Sequence, residues 1–340
     1  MRNTADSCDV AIIGGGPVGL FAVFQCGMLE MGCHVFDALP SAGGQCAALY
    51  PEKPIYDIPG YPRIDAAELV ERLREQAAPF APAFHLGSAV SRLGADNGRF
   101  AVENLAGRRV AARAVVIAAG AGAFGPNRPP LAGIDEFEGK SVFYLVRRRE
   151  DFRGRRVVIA GGGDSAVDWA VSLADVAARV TVVHRRARWR AAPGSVARLQ
   201  GLAEAGRIEL VVPYQLYALE GAGGQLAAII VADVAGNTRR LEADCLLPFF
   251  GLATDLGPLS GWGLELDHGH ITVNPASCAT SQPGVFAIGD IALYPGKLKL
   301  ILSGFAEAAL AAHAIHPLVY PGQALHFQYS TTKGIPAGGR

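Results

Sequence analysis

Three glycines near the amino terminus are spaced as in turns that bind the diphosphate of a dinucleotide. Gly14, Gly16 and Gly19 follow the apolar run 10–13 and precede an apolar segment with helical character. In this pattern the first glycine permits a tight turn, the second lets the backbone approach the diphosphate, and the third lets the helix pack on the strand. The amino terminus of the helix offers free N–H groups to the phosphates. Asp37 ends the next apolar run, about twenty residues on, where a carboxylate can bind a ribose 2′-hydroxyl, so the combination predicts a dinucleotide site.

A second copy of this pattern begins at Gly161 and has alanine, Ala166, in the third position. The strand that follows it ends in His184-Arg185-Arg186 instead of an acid. Guanidinium groups can bind a 2′-phosphate through two parallel hydrogen bonds, so this copy predicts NADP(H). The alternative that the arginines form only a solvated basic turn stays open. The residues assigned to this nucleotide are Gly161, Gly163, Asp164, Ser165, Ala166, His184, Arg185 and Arg186.

Both copies predict the order strand, turn and helix, so the expected fold is α/β. A later apolar strand ends in Gly289-Asp290, downstream of the second copy. This order predicts that the second nucleotide-binding domain is inserted into the first, and that both are Rossmann-like, three-layer ββα domains. The first domain would comprise residues 1–121 and 253–340, and the inserted domain residues 122–252.

The segments around these motifs predict further elements. Near the first motif we expect a loop at 41–46, an irregular proline-rich segment at 49–62, and a helix over 65–80 with Asp65 as its N-cap. Strands are predicted near 84–93, 99–105 and 108–117, with another buried strand at 115–120 and a linker at 121–130. The second domain should hold a helix at 193–205 and strands near 207–213, 225–234 and 238–242. A last helix should start near Ser303.

The composition argues against several classes of protein. The 340 residues carry 31 Lys and Arg against 31 Asp and Glu, so no net charge draws the chain toward nucleic acid or a membrane surface. No apolar run reaches the length that crosses a bilayer, and the polar start predicts a cytoplasmic protein without a secretory signal. The six cysteines form no Cys-x-x-Cys pair and no zinc-like cluster with histidine, so we expect free thiols and no metal site.

Longer strings give the chain a resemblance to a known family. The two glycine turns, Gly43-Gly44-Gln45, the His-Arg-Arg string and Ala287-Ile-Gly-Asp290 resemble thioredoxin-reductase-type flavoproteins. The ferredoxin/flavodoxin–NADP⁺ reductase branch of that group is more similar, on the strings 49–59, 163–169, 294–299 and 329–331. Thioredoxin reductases carry Cys-x-x-Cys in the inserted domain, and its absence here closes the dithiol route.

The resemblance implies an enzyme in which FAD passes electrons between NADPH and a one-electron carrier protein. Its first domain would bind FAD and its inserted domain NADP(H). Tyr50 and Tyr329 are the implied catalytic residues, because they would stack on opposite faces of the flavin, and the helix near Ser303 would point its amino terminus at the flavin. The residues placed against FAD are Gly14, Gly16, Pro17, Val18, Gly19, Asp37, Gly44, Gln45, Tyr50, Val90, Phe124, Asp290 and Thr331.

The resemblance also implies partners. Family members are homodimers, and their carrier is an acidic ferredoxin or flavodoxin, so a basic docking rim is expected. Its candidates, for which an ordinary solvated charge is an equal alternative, are Arg147, Arg148, Arg149, Arg153, Lys297 and Lys299. Two other functions stay open. One is reduction of a disulfide, a peroxide or another small acceptor, and the other is a non-catalytic module that senses FAD and NADP.

The implied position of Tyr329 can be tested by truncation. Removing residues 327–340 should uncover one face of the flavin, so its absorbance spectrum and the KM for NADPH should change while FAD stays largely bound. Visible spectra and steady-state kinetics of the truncated and full-length proteins measure both effects. Identical spectra and kinetics would place the tail elsewhere.

Overall fold

A computed structural model of the chain describes residues 6–96, 98–120, 122–325 and 334. The chain divides into two compact units: Met1–Phe124 together with Thr254–Arg340, and Gly125–Ala253. The first unit is therefore discontinuous in sequence and the second is continuous. The predicted α/β class, with one such unit inserted into another, is confirmed. Within the described residues, no helix combines the length and the apolar character needed to cross a bilayer.

The first part of the first unit alternates strands with helices and then forms a meander. Its elements are β1 (Asp6–Ile13), α1 (Pro17–Met28), β2 (Cys33–Phe36), α2 (Gly44–Leu49), β3 (Pro54–Ile55), β4 (Ile64–Asp65), α3 (Ala66–Ala77), β5 (Ala83–His85), β6 (Val90–Asp96), β7 (Arg99–Asn104), β8 (Arg109–Ile117) and β9 (Ala123–Pro126). The loop predicted at 41–46 is partly wrong, because α2 begins at Gly44. The helix starts at two consecutive glycines with positive φ, Gly43 at 126° and Gly44 at 55°. Consecutive glycines are typical of loops, which is why the sequence predicted one here.

The predicted strand 84–93 is also wrong, because it is two strands separated by a turn at Gly87, whose φ is 76°. β5 pairs in parallel with β2, whereas β6 pairs antiparallel with β7. Conversely, the strands predicted at 108–117 and 115–120 are the single strand β8. Its first half pairs antiparallel with β7, and its whole length pairs in parallel with β1.

The second unit is built on a parallel sheet. Its elements are α4 (Ile134–Phe137), β10 (Arg156–Ala160), α5 (Asp164–Leu173), β11 (Arg179–Val183), α6 (Pro193–Glu204), β12 (Ile208–Val211), β13 (Gln215–Ala222), β14 (Gln225–Ala232), β15 (Thr238–Glu242) and β16 (Cys245–Pro248). The sheet has the order β12-β11-β10-β16, and β13, β14 and β15 form a separate antiparallel sheet. The sequence did not predict β13. Register shifts near Leu216 and Glu220 interrupt the period-two pattern that identifies a strand.

The chain then returns to the first unit. It does so within β17 (Leu252–Asp255), which pairs with β9; both strands include residues of each unit. The elements that follow are β18 (Leu266–Asp267), β19 (His270–Thr272), β20 (Val285–Ala287), β21 (Ala292–Leu293) and α7 (Ile301–Val319). β20 pairs in parallel with the second half of β8, so the central sheet is completed by residues that follow the second unit. Short 3-10 turns occupy Gly257–Gly261 and Gly289–Ile291.

The core of the first unit lies on both faces of β1. Val10 and Ile12 pack with buried residues of α1 and α7 on one face. Ala11 and Ile13 pack with residues of β7, β8 and β20 on the other. Burial on both faces explains why β1 is an almost continuous apolar run. It also fixes the register, because a slip by one residue would exchange the two faces.

A histidine pair at the edge of the central sheet gives the fold a pH-dependent stability. His34 of β2 and His85 of β5 lie 3.0 Å apart through Nδ1 and Nε2, so one ring must accept from the other. Burial lowers the pKa of both rings, and each ring therefore binds its proton less readily when folded than when unfolded. The folded state then holds fewer protons below the unfolded pKa of about 6.5, so stability falls as the pH drops below that value.

We expect the melting temperature of the wild-type protein to be lower at pH 5.5 than at pH 7.5. His85→Gln keeps a hydrogen-bonding side chain but removes one titrating ring, so its melting temperature should fall less between the two pH values. His268→Gln is the control, because the side chain of His268 is 93% exposed. Equal pH dependence in the wild-type protein and His85→Gln would show that the pair does not contribute.

Candidate functional site

A cavity of about 340 Å³ opens in the first unit where β1, β2 and β8 end. Its wall includes Ile13, Phe36 and Ala118, the residues at or just after the carboxyl ends of these strands. Parallel α/β sheets bind ligands at this edge, and cavities of this size accept parts of large ligands.

The glycine turn between β1 and α1 forms one wall of the cavity. Gly14 has a φ of 112°, and a Cβ atom at this residue would overlap the carbonyl oxygen of Ala118. A Cβ at Gly19 would overlap the carbonyl oxygen of Gly14. Neither residue can therefore carry a side chain without a shift of backbone, whether or not a ligand is present.

Gly16 differs from these two glycines. Its φ of −71° suits any residue, and a Cβ built on it would lie 3.8 Å from its nearest neighbour, the Cα of Gly44. The protein itself does not require glycine at this position, and the free space belongs to the cavity. Gly16 is the N-cap of α1, and among the described residues no side chain caps that helix. The turn is therefore a cradle with room for an anion at a helix amino terminus.

Asp37 lies at the end of β2 and lines the same cavity. Its Oδ2 accepts a hydrogen bond from the N–H of Gly15 at 2.6 Å, and its Oδ1 accepts from the N–H of Leu39 at 2.8 Å. Burial raises the pKa of Asp37, and the two hydrogen bonds act in the opposite direction. Each carboxylate oxygen has a further lone pair, so Asp37 can still accept from a ligand hydroxyl.

The short helix α2 brings two more predicted residues to the cavity. Gln45 lies in its first turn, and Tyr50 directly follows its last residue. The thiol of Cys46 lies 3.8 Å from the Tyr50 hydroxyl. Burial raises the pKa of Tyr50, so its phenol is neutral at physiological pH. The ring is held against an apolar cluster that includes Leu20 and Ile58.

The structure brings together all the predicted residues of the first site whose side chains it describes, except that Gly19 lies behind the wall. The lining residues among them are Gly14, Gly16, Pro17, Val18, Asp37, Gly44, Gln45, Tyr50, Val90 and Asp290. Tyr329 and Thr331 lie outside the described residues, as does the side chain of Phe124, whose backbone belongs to β9.

The sequence did not predict a second wall of the cavity. Leu256, Pro258, Leu259 and Trp262 line it from the 3-10 turn 257–261 and its neighbours. The Gly-Pro dipeptide at 257–258 is a turn signal, but it carries no information on where that turn packs. These residues follow the second unit in sequence, so no local pattern links them to the glycine turn.

In the second unit, a pocket of about 500 Å³ is lined by the residues that follow β11: His184, Arg185, Arg186, Arg188, Trp189 and Arg190. The four arginines are exposed. Among the described residues, no carboxylate pairs with any of them. The pocket therefore carries positive charge that the described part of the protein does not neutralise.

Contacts within this segment fix its shape. The ring of His184 donates through Nε2 to the carbonyl oxygen of Arg188 at 3.2 Å and stacks on Trp189 with 4.9 Å between the ring centroids. Burial, followed by the nearby arginines, lowers the pKa of His184 and keeps the imidazole neutral. The N–H of Arg190 donates to the carbonyl oxygen of Gly162 at 2.8 Å, which ties the segment to the glycine turn.

That turn repeats the arrangement seen around Gly16. Gly163 is the N-cap of α5, and a Cβ on it would have no neighbour within 4 Å, although its φ of −96° suits any residue. Ala166 is fully buried behind the turn. Asp164 accepts a hydrogen bond from the N–H of Ala192 at 2.8 Å, and Ser165 is exposed.

The candidate basic docking residues differ in their exposure and in their ion pairs. Lys297 is a wrong candidate, because its side chain is 2% exposed and its ammonium pairs with Glu307. Arg148 and Arg153 are exposed but pair with Asp151 and Glu150 on the same turn. The sequence could not show that Lys297 is buried, because its partner lies on α7.

All six cysteines are free thiols, and all but Cys8 are buried. Burial raises the pKa of Cys46 at the cavity wall, and it also raises the pKa of Cys245 and Cys278. A thiol with a raised pKa stays protonated, and the protonated form is a poor nucleophile. The cysteines therefore have the environment of structural side chains.

Comparisons with known proteins agree with this geometry. A family model described as pyridine nucleotide-disulphide oxidoreductase matches residues 8–314. A ferredoxin--NADP reductase of Paramagnetospirillum magneticum is 64% identical over 331 residues, which cover 97% of this chain and 98% of the relative. A ferredoxin--NADP reductase of Rhodospirillum rubrum is 60% identical over 339 residues and 98% of each chain.

Solved structures agree on the fold. Thioredoxin reductase of T. acidophilum is 25% identical, with a TM-score of 0.79 over 91% of this chain and 98% of that one. Lactococcus lactis thioredoxin reductase in its FR conformation is 23% identical, with a TM-score of 0.78 over 92% and 99% of the two chains. The family model and the curated relatives show that the chain belongs to the pyridine nucleotide-disulphide oxidoreductase family, among its ferredoxin–NADP reductases.

Proposed function

We propose that the protein uses FAD to transfer electrons between NADPH and ferredoxin. The observation that carries this proposal is a contrast within the chain. Two glycine turns are built alike, but the strand after the first is followed by the carboxylate of Asp37, and the strand after the second by a group of exposed arginines. A carboxylate suits a ribose hydroxyl and guanidinium groups suit a 2′-phosphate, so one chain carries sites for two different nucleotides. Its relatives carry the name ferredoxin--NADP reductase.

The residues of the first unit fit FAD. The empty space beside Gly16, at the amino terminus of α1, suits the diphosphate. Asp37 would accept from a ribose hydroxyl of the adenosine half. Gln45, Val90 and Asp290 would line the rest of the cofactor. Phe124, Thr331 and Tyr329 stay predictions from the resemblance.

The residues of the second unit fit NADP(H). Gly163 leaves the amino terminus of α5 open to a diphosphate. Arg185 and Arg186 would bind the 2′-phosphate, with Arg188 and Arg190 in the same pocket. The alternative of a merely solvated basic turn is disfavoured, because a purely structural turn gains nothing from four neighbouring arginines without a described carboxylate partner.

When bound, FAD supplies the ability to accept two electrons from a reduced nicotinamide and to pass them on singly. The chain itself needs no acid–base pair for this chemistry. Tyr50 would hold one flavin face, and its neutral phenol adds no charge there. The apolar wall with Leu256 and Trp262 would exclude water from the flavin. All six cysteines are free thiols, which are already reduced, so they would not take electrons from the flavin.

Several finer points belong to the proposal. We take ferredoxin as the carrier and keep flavodoxin as a second acceptor of similar chemistry. A homodimer and a cytoplasmic location are also part of the proposal. Of the two other functions, reduction of a disulfide by the dithiol route would require Cys-x-x-Cys, which the sequence does not contain. A sensor of FAD and NADP would bind both nucleotides but would not reduce an acceptor.

The proposal is tested with two glycine variants that differ only in the turn they affect. The wild-type protein should purify with bound FAD and reduce ferredoxin with NADPH. Gly16→Val fills the space beside α1, so this variant should purify without FAD and be inactive. Gly163→Val fills the matching space beside α5, so it should keep FAD but raise the KM for NADPH by about tenfold or more.

Flavin absorbance, nucleotide kinetics and ferredoxin reduction are the three measurements for this pair. A wild-type protein that takes up no FAD would overturn the whole proposal. Retention of FAD by Gly16→Val would move the diphosphate away from α1. A protein that binds both nucleotides but reduces neither ferredoxin nor an artificial acceptor would be a sensor instead.

Nucleotide preference tests the arginines. Hydrogen bonds to charged groups contribute roughly 1.5–3 kcal/mol each, so Arg185→Ala and Arg186→Ala should each lower kcat/KM for NADPH about ten- to a hundred-fold. NADH lacks the 2′-phosphate, and its kcat/KM should change little. Arg198→Ala is the control, because Arg198 is an exposed arginine of α6 outside the pocket.

An unchanged NADPH/NADH ratio in both variants would contradict the assignment. The same pair of measurements on Arg188→Ala and Arg190→Ala would then show whether either of them holds the phosphate.

A further inference from the structure

A buried carboxylate lies beside the cavity without lining it. Glu307, in the second turn of α7, is 2% exposed. Its Oε2 accepts a hydrogen bond from the N–H of Gly289 at 2.7 Å, and its Oε1 accepts from the hydroxyl of Tyr294 at 2.7 Å. The ammonium of Lys297 also pairs with Oε1. Both oxygens are therefore engaged, and both members of the ion pair are buried.

These three donors share one location in the chain. All of them belong to the segment 289–297, which joins β20 to α7, and the acceptor belongs to α7 itself. The carboxylate thus binds the segment to the helix at three points, which are the start of the segment, its middle and its end. Loss of one partner from a buried ion pair is costly, because the other charge stays buried without compensation. Three contacts to one buried carboxylate therefore hold the segment against α7.

The conformation of this segment decides what faces the cavity. Gly289 and Asp290 line it, and so does Ile301 in the first turn of α7. Gly289 has a φ of 75°, so this residue adopts a left-handed backbone conformation. Val18 of α1 packs against Gly289 and also against Gly304 of α7. Asp290 directly follows the Gly289 peptide, whose N–H Glu307 binds, so the place of Asp290 in the cavity wall depends on that peptide.

We propose that Glu307 is a positioning residue of the cofactor site: it holds the Gly289 peptide, and through it Asp290 and the first turn of α7, in the arrangement that receives the flavin. This inference rests on the proposed function. Glu307 does not touch the cavity and has no direct part in electron transfer. Lys297 serves the same purpose, because it supplies the charge that allows a carboxylate to be buried there.

Glu307→Gln tests the inference, because glutamine has the same shape but only one acceptor oxygen. Its amide cannot accept from all three donors, and it leaves Lys297 without a counter-charge. We expect FAD to leave the holoprotein about tenfold faster or more on dilution, as measured by the fluorescence of the released flavin. The visible circular dichroism of the remaining bound flavin should also change, because its surroundings are no longer fixed.

Asp244→Asn is the control, at a carboxylate with similar partners that is more exposed than Glu307. Asp244 also accepts a backbone hydrogen bond, from the N–H of Arg156 at 2.7 Å, and also pairs with a guanidinium, but it lies in the second unit. Both variants should lose thermal stability. Only Glu307→Gln should lose FAD faster and alter the flavin circular dichroism.

Tyr294→Phe is a milder second variant, in case Glu307→Gln does not fold. It keeps the ring and removes one of the three hydrogen bonds to Glu307, whose charge Lys297 still balances, so FAD release should quicken about two- to tenfold. Wild-type rates and spectra in whichever of the two variants folds would overturn the inference, and equal effects in Asp244→Asn would do so too. A wild-type protein without bound FAD would overturn the proposed function as well, so the two failures are distinguishable.

Discussion

The parallel ladder between β1 and β8 is the interaction on which the first unit depends. It places Ile13 opposite Ile117, although the two residues are far apart in sequence. β8 pairs with three strands in all, because its first half also pairs with β7 and its second half with β20. Both faces of β1 are buried, so the ladder cannot slip without exposing one set of core residues. The ends of the strands consequently meet at one edge, and the cavity opens there.

The predictable part of the molecule is the part governed by local rules. The glycine turns, Asp37 and the arginines after β11 follow from spacing along a strand, a turn and a helix, and the α/β class follows from their repetition. The wall with Trp262 was not predictable, because it comes from an irregular segment placed only by tertiary packing. Lys297 was expected at the surface, since nothing in its own surroundings in the sequence points to Glu307. β13 was missed because its bulges break the alternation that marks a strand.

The two glycine turns have the same backbone arrangement. In each, a helix begins at a glycine beside which a Cβ atom would have space, and we propose a diphosphate for both positions. The two turns differ in the residues that follow the next strand, which is β2 in the first unit and β11 in the second. Asp37 is partly withdrawn from water by two backbone hydrogen bonds, whereas the arginines stand in solvent. A hydroxyl needs an oriented acceptor, while a phosphate needs charge, so each arrangement suits the ligand that we propose for it.

The insertion of one unit into the other also fixes the order in which the two units become complete during synthesis. When the last residue of the second unit has been added, β20 and α7 have yet to be synthesised, and at ~5–20 residues per second this takes on the order of ten seconds. During that time the second half of β8 has an open edge, which other chains can bind. The continuous second unit is complete by then. The arginine pocket can therefore form during translation, whereas the cavity beside Asp37 must wait for the last helix.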